Sequence, residues 1–105
     1  MMDQIQIEEN IEVTDQRLVL MLKALGNPVR FRIMEFLAAQ QTCITGDIVS
    51  ATPKAQSTIS QHLKVLREAG FIDGAIEGPA VCYCINQDNI RWFQSQINSW
   101  LLKLE

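Results

Sequence analysis

The chain has 105 residues, of which 48% are hydrophobic and 20% are charged, and its formal net charge is −3. This length fits one domain with one small core, and the acidic balance excludes a protein that binds nucleic acid through bulk positive charge alone. No apolar run reaches the roughly 18 residues of a membrane span, and the first residues lack the basic and apolar regions of a signal peptide, so we expect a cytoplasmic protein without a membrane partner.

The charges are distributed unevenly along the chain. Residues 1–15 contain five acids and no base, whereas residues 17–72 contain seven bases and three acids. We therefore predict an acidic N-terminal arm over residues 1–14 and a single folded domain over residues 15–105. The middle of the chain is only weakly basic, so any binding to DNA has to depend on specific contacts and symmetry.

Two helices are predicted first. The pattern becomes helical at Asp15, and Gly26 ends this first segment. Asn27 and Pro28 are a typical N-cap and first helical residue, so a second helix is expected over residues 28–39. The apolar stripe of the first helix consists of Leu18, Leu22 and Leu25, and the second helix is expected to bury Phe31 or Ile33, Met34, Phe36 and Leu37.

The next segments form a helix-turn-helix pattern. Residues 42–45 suit one short strand, residues 46–50 one or two helical turns, and residues 52–55 a break before a longer helix that Gly70 ends. In this longer helix Ile59, Leu63 and Leu66 recur on one side, while Ser57, Gln61 and Lys64 project from the other. Hydrogen-bonding side chains opposite an apolar stripe are suited to reading DNA bases.

The C-terminal third predicts a hairpin and a last helix. Residues 71–76 and 80–85 flank a turn at residues 77–79, which is typical of a β-hairpin, and a hairpin after such a helix is a wing. The last helix is amphipathic. Its apolar seam is formed by Ile90, Phe93, Ile97, Trp100 or Leu101, and Leu104. The predicted fold is therefore mainly α with a small β wing (α+β), a winged helix-turn-helix in the order α-α-β-α-α-β-β-α.

Four sequence segments in this order resemble the successive motifs of the ArsR/SmtB family of bacterial repressors. They are residues 25–30 (LGNPVR), 46–48 (GDI), 57–64 (STISQHLK) and 66–72 (LREAGFI). The resemblance covers about residues 15–104. It implies a homodimer formed by the first and last helices, which binds an imperfect palindrome in double-stranded DNA and is released by a small inducer.

The resemblance also implies which residues bind DNA. The positions that match the recognition helix are Gln56, Ser57, Thr58, Ser60, Gln61 and His62, and the candidate phosphate contacts are Lys54, Lys64, Arg67 and Arg30. His62 lies at the edge of the apolar stripe, so packing against the backbone is an equal alternative, and a metal role for this single histidine is a remote one. The wing tip (residues 76–80) has Glu77 and no base, so we expect it to add little affinity.

The dimer interface is predicted on the terminal helices, because they offer more apolar surface than one small core can cover. The residues are Leu18, Leu22, Leu25, Ile90, Phe93, Ile97, Trp100 and Leu104. The alternative is that they all pack inside one subunit.

The inducer site is not one of the family's usual metal sites. The positions that match the Cys-x-Cys pair of arsenic and cadmium sensors are Ile44 and Gly46, and residues 87–104 contain no histidine for the zinc site. No cofactor is expected to be required for folding. The three cysteines of the chain are free thiols by default in a reducing compartment.

Strand alternation places Cys82 and Cys84 on one face, and pairing of the short strand with the last wing strand brings Cys43 to the same face. Three thiolates can bind arsenite or a soft metal, and Cys43 is better placed than the i, i+2 pair for a regulatory disulfide. The alternative is that the cysteines are inert small apolar residues. An enzyme is not expected, because no Cys-x-x-Cys is present and the only histidine lies in the recognition helix. A winged helix that serves only for protein contacts or dimerisation, without inducer sensing, is the competing function.

Overall fold

Helices and one antiparallel hairpin make up the computed structural model of the protein, which describes residues 11–40, 43, 56–77 and 80–105. In chain order the elements are α1 (Val13–Leu25), α2 (Pro28–Ala39), α3 (Gln56–Ala69), β1 (Ile72–Glu77), β2 (Ala80–Ile85) and α4 (Gln87–Leu102). The mainly α fold with a small β wing is therefore confirmed. The predicted strand 42–45 and short helix 46–50 lie outside the described residues, apart from Cys43.

The first two helices have the expected boundaries and caps. Helix α1 begins two residues earlier than predicted, and α2 spans the predicted residues. The Asn27 side chain accepts hydrogen bonds from the backbone N–H groups of Val29 (2.9 Å) and Arg30 (3.2 Å). These donors have no partner within the helix, so the N-cap fixes the start of α2 directly after α1.

The core lies where α1, α2, α3 and β1 meet. Its largest fully buried side chains are Phe71, Met21, Leu63, Leu66 and Ile72. Phe71 also contacts Phe93 of α4 edge-on, with the ring centroids 5.2 Å apart. This packing accounts for the strongly amphipathic pattern of α3, because its apolar stripe is the side that the core covers.

One predicted core residue, Phe36, is exposed instead: it is 45% exposed, whereas Ile33 and Leu37 are buried. Leu22, a stripe residue of α1 that was predicted at the dimer interface, is 42% exposed, and Met21 beside it is buried. The buried residues of α1 are Leu18, Met21 and Ala24, and the last two pack in one cluster with Leu63 and Leu66 of α3, which leaves Leu22 towards solvent. The stripe at i, i+4 and i+7 identified the helix, but the choice among adjacent apolar residues depends on how neighbouring helices pack.

Gly70 ends α3 with a φ of +97°, the only positive φ among the described residues. The Phe71 N–H donates to the Leu66 carbonyl (3.0 Å) and the Gly70 N–H to the Arg67 carbonyl (3.1 Å), which satisfies carbonyls at the end of the helix. Phe71 thus belongs to the helix cap and not, as predicted, to the first strand. The cap directs the chain from α3 into the hairpin.

Replacing Gly70 with alanine is expected to lower the free energy of unfolding by about 1–3 kcal/mol, because an L side chain is strained at this φ. The added Cβ would also lie 3.1 Å from the Asn89 side-chain nitrogen. Chemical denaturation measures the loss. Gly26→Ala is the control, since Gly26 has a φ of −76° that alanine adopts readily, while its added Cβ would also meet a close atom, the Leu22 carbonyl oxygen at 3.3 Å. An equal loss in both variants would contradict the argument.

The hairpin is a two-stranded antiparallel sheet. Its register pairs Ile72 with Ile85, Gly74 with Tyr83, and Ala75 with Cys82. Ile72 is buried, and Tyr83 and Ile85 pack against the core cluster. Neighbouring residues of β2 alternate in side-chain direction, so Cys82 and Cys84 project from the face opposite to Tyr83 and Ile85. Among the helices of the described ranges, none has both the length and the apolar character required to cross a bilayer.

Candidate nucleic-acid interface and thiol cluster

Helix α3 presents an exposed polar side opposite its buried stripe. Thr58, Ser60, Gln61 and Lys64 are exposed, while Leu63 and Leu66 are buried. Arg67 is also exposed on the last turn. The described part of the helix therefore offers hydroxyl, amide and cationic groups to an external ligand, which are the groups that bind base edges and phosphates.

Some of the predicted DNA contacts lie outside the part of the chain that the structure describes. Lys54 lies outside the described residues, as do the side chains of Gln56 and Ser57 and the tip of the wing at Gly78 and Pro79. Their roles remain predictions.

Arg30 and His62 form a contact between α2 and α3. The Arg30 Nη1 atom lies 3.2 Å from His62 Nδ1, and an arginine can only donate, so His62 Nδ1 is the acceptor. The same guanidinium donates to the carbonyl oxygens of Ala24 and Lys23 at the end of α1. Arg30 thus connects three helices, and both side chains are half-buried. The sequence predicted Arg30 as a phosphate contact and gave no sign of these hydrogen bonds between helices.

Replacing Arg30 with alanine is expected to lower the free energy of unfolding by about 1–2 kcal/mol, because it removes partly buried hydrogen bonds of a charged group. Lysine should not restore the loss, since it lacks the planar fork that reaches several acceptors. Arg32→Ala is the matched control; Arg32 is exposed and its partner among the described residues is Glu35, so its removal should cost less than about 0.5 kcal/mol. Unchanged thermal stability of Arg30→Ala together with weaker DNA binding would instead favour a phosphate contact.

Asn89 connects α4 to the rest of the domain. Its side-chain N–H donates to the Gly70 carbonyl (2.8 Å), and its oxygen accepts from Arg17 of α1 (2.7 Å). The Arg17 guanidinium lies over the Trp92 ring, 4.0 Å from its centroid, in a cation–π contact. Asn86 caps α4 by accepting from the Asn89 N–H. The cap is visible in the sequence as an asparagine before an amphipathic stretch, but the connection to Gly70 depends on tertiary structure.

The three cysteines lie together. Their sulfur atoms are all within 4.8 Å of one another, as the strand alternation predicts. Cys43 and Cys84 form a disulfide, with Cα atoms 4.5 Å apart, and Cys82 is free. The free thiols expected in a reducing compartment and this bonded pair are the two redox states of the same site. The Cα separation falls within the range that a disulfide requires, so Cys43 and Cys84 can be oxidised without displacement of the backbone.

A cavity of about 670 Å³ lies beside this thiol cluster. Its wall includes the buried Leu37 and Phe71, the two bonded cysteines, and exposed polar residues. The full lining is Leu25, Phe31, Met34, Glu35, Leu37, Ala38, Gln40, Cys43, Phe71, Tyr83, Cys84, Ile85, Gln87, Ile90 and Phe93. This volume is within the range of small-molecule sites.

The predicted interface residues on α1 and α4 occupy two different environments. Leu18 is buried within the chain, and Leu25, Ile90 and Phe93 line the cavity and are half-buried. Ile97 is half-buried as well. Solvent-exposed apolar side chains of the two helices include Val13, Val19, Leu20, Leu22, Trp100, Leu101 and Leu102, and Leu104 follows α4. The exposed surface is therefore found at the C-terminal end of α4 and along one side of α1.

The described helices and hairpin, together with the comparisons that follow, place the chain among winged helix-turn-helix transcriptional regulators. The model of the arsR family of bacterial regulatory proteins matches residues 27–73. A helix-turn-helix transcriptional regulator of Methanocaldococcus jannaschii is 35% identical over 66% of this chain and 78% of its own length. The chain belongs to this family.

A second relative agrees with the assignment, and a solved structure agrees with the fold. The transcriptional repressor SmtB of Mycobacterium tuberculosis is 40% identical over 60% of this chain, which spans 46% of that relative. An ArsR-like transcriptional regulator from Rhodococcus sp. RHA1 has the same fold, with a TM-score of 0.71 and 16% identity over 87% of this chain and 85% of that structure.

Proposed function

We propose that the chain is a cytoplasmic, dimeric repressor that binds an imperfect palindromic operator through α3, and that opening and closing of the Cys43–Cys84 disulfide regulates this binding. The single observation that supports the regulation is the disulfide itself. Cys43 precedes the segment that leads into α3, and Cys84 belongs to the strand of the wing. Oxidation therefore connects the two parts of a winged helix that flank the recognition helix, and we expect it to lower operator affinity.

The DNA-binding part of the proposal is supported by the exposed polar side of α3 in a member of this family. Ser60 and Gln61 are the described candidates for base contacts, and Lys64 and Arg67 for phosphate contacts. Thr58 is exposed beside them and is a further candidate, and Gln56, Ser57 and Lys54 are proposed from their positions in the sequence. His62 is proposed as a secondary contact only, because Arg30 already occupies its Nδ1 atom.

Gln61→Ala is expected to weaken binding to the operator about 10-fold or more and to leave non-specific binding unchanged, because it removes a base contact. The operator is first selected from a randomised duplex library with the reduced protein, and affinities are then titrated at several salt concentrations. Lys64→Ala should weaken binding to all duplexes alike and reduce the salt dependence. Arg32→Ala removes the same charge from α2 and is the control. Absence of saturable binding at low salt would favour a protein-contact module instead.

Soft-ligand sensing is the second candidate, and the proximity of the third sulfur favours it. Three sulfurs within 4.8 Å of one another match the donor set for arsenite or a soft metal once the disulfide is reduced. Arsenite has three hydroxyl groups, and three thiols would replace them with release of three waters. This candidate requires Cys82, whereas the redox proposal does not.

A further inference from the structure

We propose that the cavity beside the thiol cluster binds a neutral, apolar organic hydroperoxide, which is the oxidant that closes the Cys43–Cys84 disulfide. This inference rests on the proposed redox regulation and names the class of molecule to which the same site responds. It combines the cavity, the charge of its lining and the product that the two sulfurs form.

The cavity has the shape and chemistry of a site for an apolar molecule. Its volume is about 670 Å³, and its wall includes four aromatic rings, those of Phe31, Phe71, Tyr83 and Phe93. Polar groups are few, and Glu35, Gln40 and Gln87 are exposed and so lie towards the solvent. Transfer from water into such a site is favourable for an apolar molecule, whereas it is not favourable for a small polar oxidant such as hydrogen peroxide.

The charge of the lining favours a neutral molecule. Among the lining residues within the described ranges there is one acid, Glu35, and no base. The Glu35 carboxylate is paired with Arg32, which is not a lining residue, so an anionic oxidant would find no cationic group in the described lining to replace its hydration. The expected ligand is therefore uncharged as well as apolar.

A hydroperoxide can form the disulfide between the two sulfurs, because it accepts two electrons and leaves no group attached to either sulfur. Cys43 and Cys84 both line the cavity and are joined to each other. One thiolate attacks the terminal oxygen of the hydroperoxide, the O–O bond breaks, and the alkoxide leaves as the alcohol after taking up a proton. The resulting sulfenic acid is attacked by the second thiol, and the S–S bond forms with loss of water. Two thiols lose two electrons, and the hydroperoxide gains them.

The test compares cumene hydroperoxide with hydrogen peroxide as oxidants of the pre-reduced chain. The rate of Cys43–Cys84 disulfide formation is followed by mass spectrometry and divided by the rate for free cysteine with the same oxidant. We expect the normalised rate to be at least about 10-fold higher for cumene hydroperoxide than for hydrogen peroxide, because apolar contacts with the cavity add to its intrinsic reactivity with thiols. An equal normalised rate for the two oxidants would overturn the proposal.

Variants that block the cavity make the test specific. Ala38 is an exposed lining residue of α2, and its neighbour Ala39 is exposed but does not line the cavity. Ala38→Phe should slow oxidation by cumene hydroperoxide about 10-fold and leave hydrogen peroxide nearly unaffected, while Ala39→Phe should change neither. Gln87→Trp, at the first residue of α4, is an independent block. Equal slowing of both oxidants in Ala38→Phe and Gln87→Trp would overturn the proposal.

The operator assay separates this inference from the proposed function. Release of DNA by both peroxides at the same normalised rate would leave the redox repressor intact and eliminate the hydroperoxide site. Selective oxidation through the cavity without any change in operator affinity would support the site and refute regulation by the disulfide.

Discussion

Replacement of Trp100 and Leu104 by glutamate is expected to convert the proposed dimer into monomers and to weaken binding to a palindromic operator about 100-fold or more. Trp100 is 46% exposed and Leu104 is 64% exposed, so neither side chain is required to fill the core of one subunit. A monomer binds each half-site separately and loses the high effective concentration that a linked second recognition helix supplies. Sedimentation velocity measures the oligomeric state, and a duplex titration measures the affinity.

The matched control is Ser99→Glu, because Ser99 is exposed on the same helix but is not apolar. It should remain dimeric and bind the operator as the unchanged chain does. A monomeric unchanged chain that nevertheless binds a palindrome tightly would contradict the proposed interface. A dimer that persists in the Trp100→Glu, Leu104→Glu variant would locate the interface elsewhere, for instance on the exposed side of α1.

Cys84→Ser is expected to abolish the response of operator binding to oxidation. The unchanged chain should lose at least about 10-fold in operator affinity when it is oxidised, which is an ordinary magnitude for coupling between two sites. The physical reason is that Cys84 supplies half of the disulfide that joins Cys43 to β2. Fluorescence anisotropy with the selected operator, before and after treatment with oxidant and then with dithiothreitol, measures the effect. Recovery on reduction shows that the change is not damage.

Cys82→Ser is the control that separates the two sensing hypotheses. Cys82 is on the same strand but free, so its replacement should leave the response to oxidant intact. If arsenite is the inducer, Cys82→Ser should lose the response to arsenite, because a three-thiol site then has only two ligands. If oxidant still releases Cys84→Ser from the operator, the disulfide mechanism is refuted. If each of the three single Cys→Ser variants responds to oxidant and to arsenite as the unchanged chain does, the cysteines are inert apolar residues.

Much of the fold follows from local sequence patterns. Asn27, Pro28 and Gly70 mark helix boundaries through their own backbone chemistry, so the limits of α2 and the end of α3 are predicted correctly. The proximity of the cysteines is also predictable, because alternation along β2 is a local rule and the pairing of the short strand is a property of winged helices.

Other features depend on packing that no local pattern encodes. The exposure of Phe36 and Leu22 results from the rotation of α1 and α2 against α3, and several apolar residues were available on each helix. The Arg30 and Asn89 side chains find partners 32 and 19 residues away, in His62 and Gly70. The cavity is formed by residues from α1, α2, the hairpin and α4 together, so its existence could not be inferred from any one segment.

The Arg30 contacts bear on the spacing between the two DNA half-sites that a dimer would bind. Arg30 fixes the end of α1 to His62 of α3, and α1 is one of the two helices proposed to form the subunit interface. In a dimer formed through α1, this guanidinium would hold α3 at its angle to the two-fold axis together with the packing of Met21 against Leu63 and Leu66. A variant without the Arg30 side chain should tolerate operators whose half-sites are one base pair closer or farther apart, because the distance between the two recognition helices is then less tightly defined.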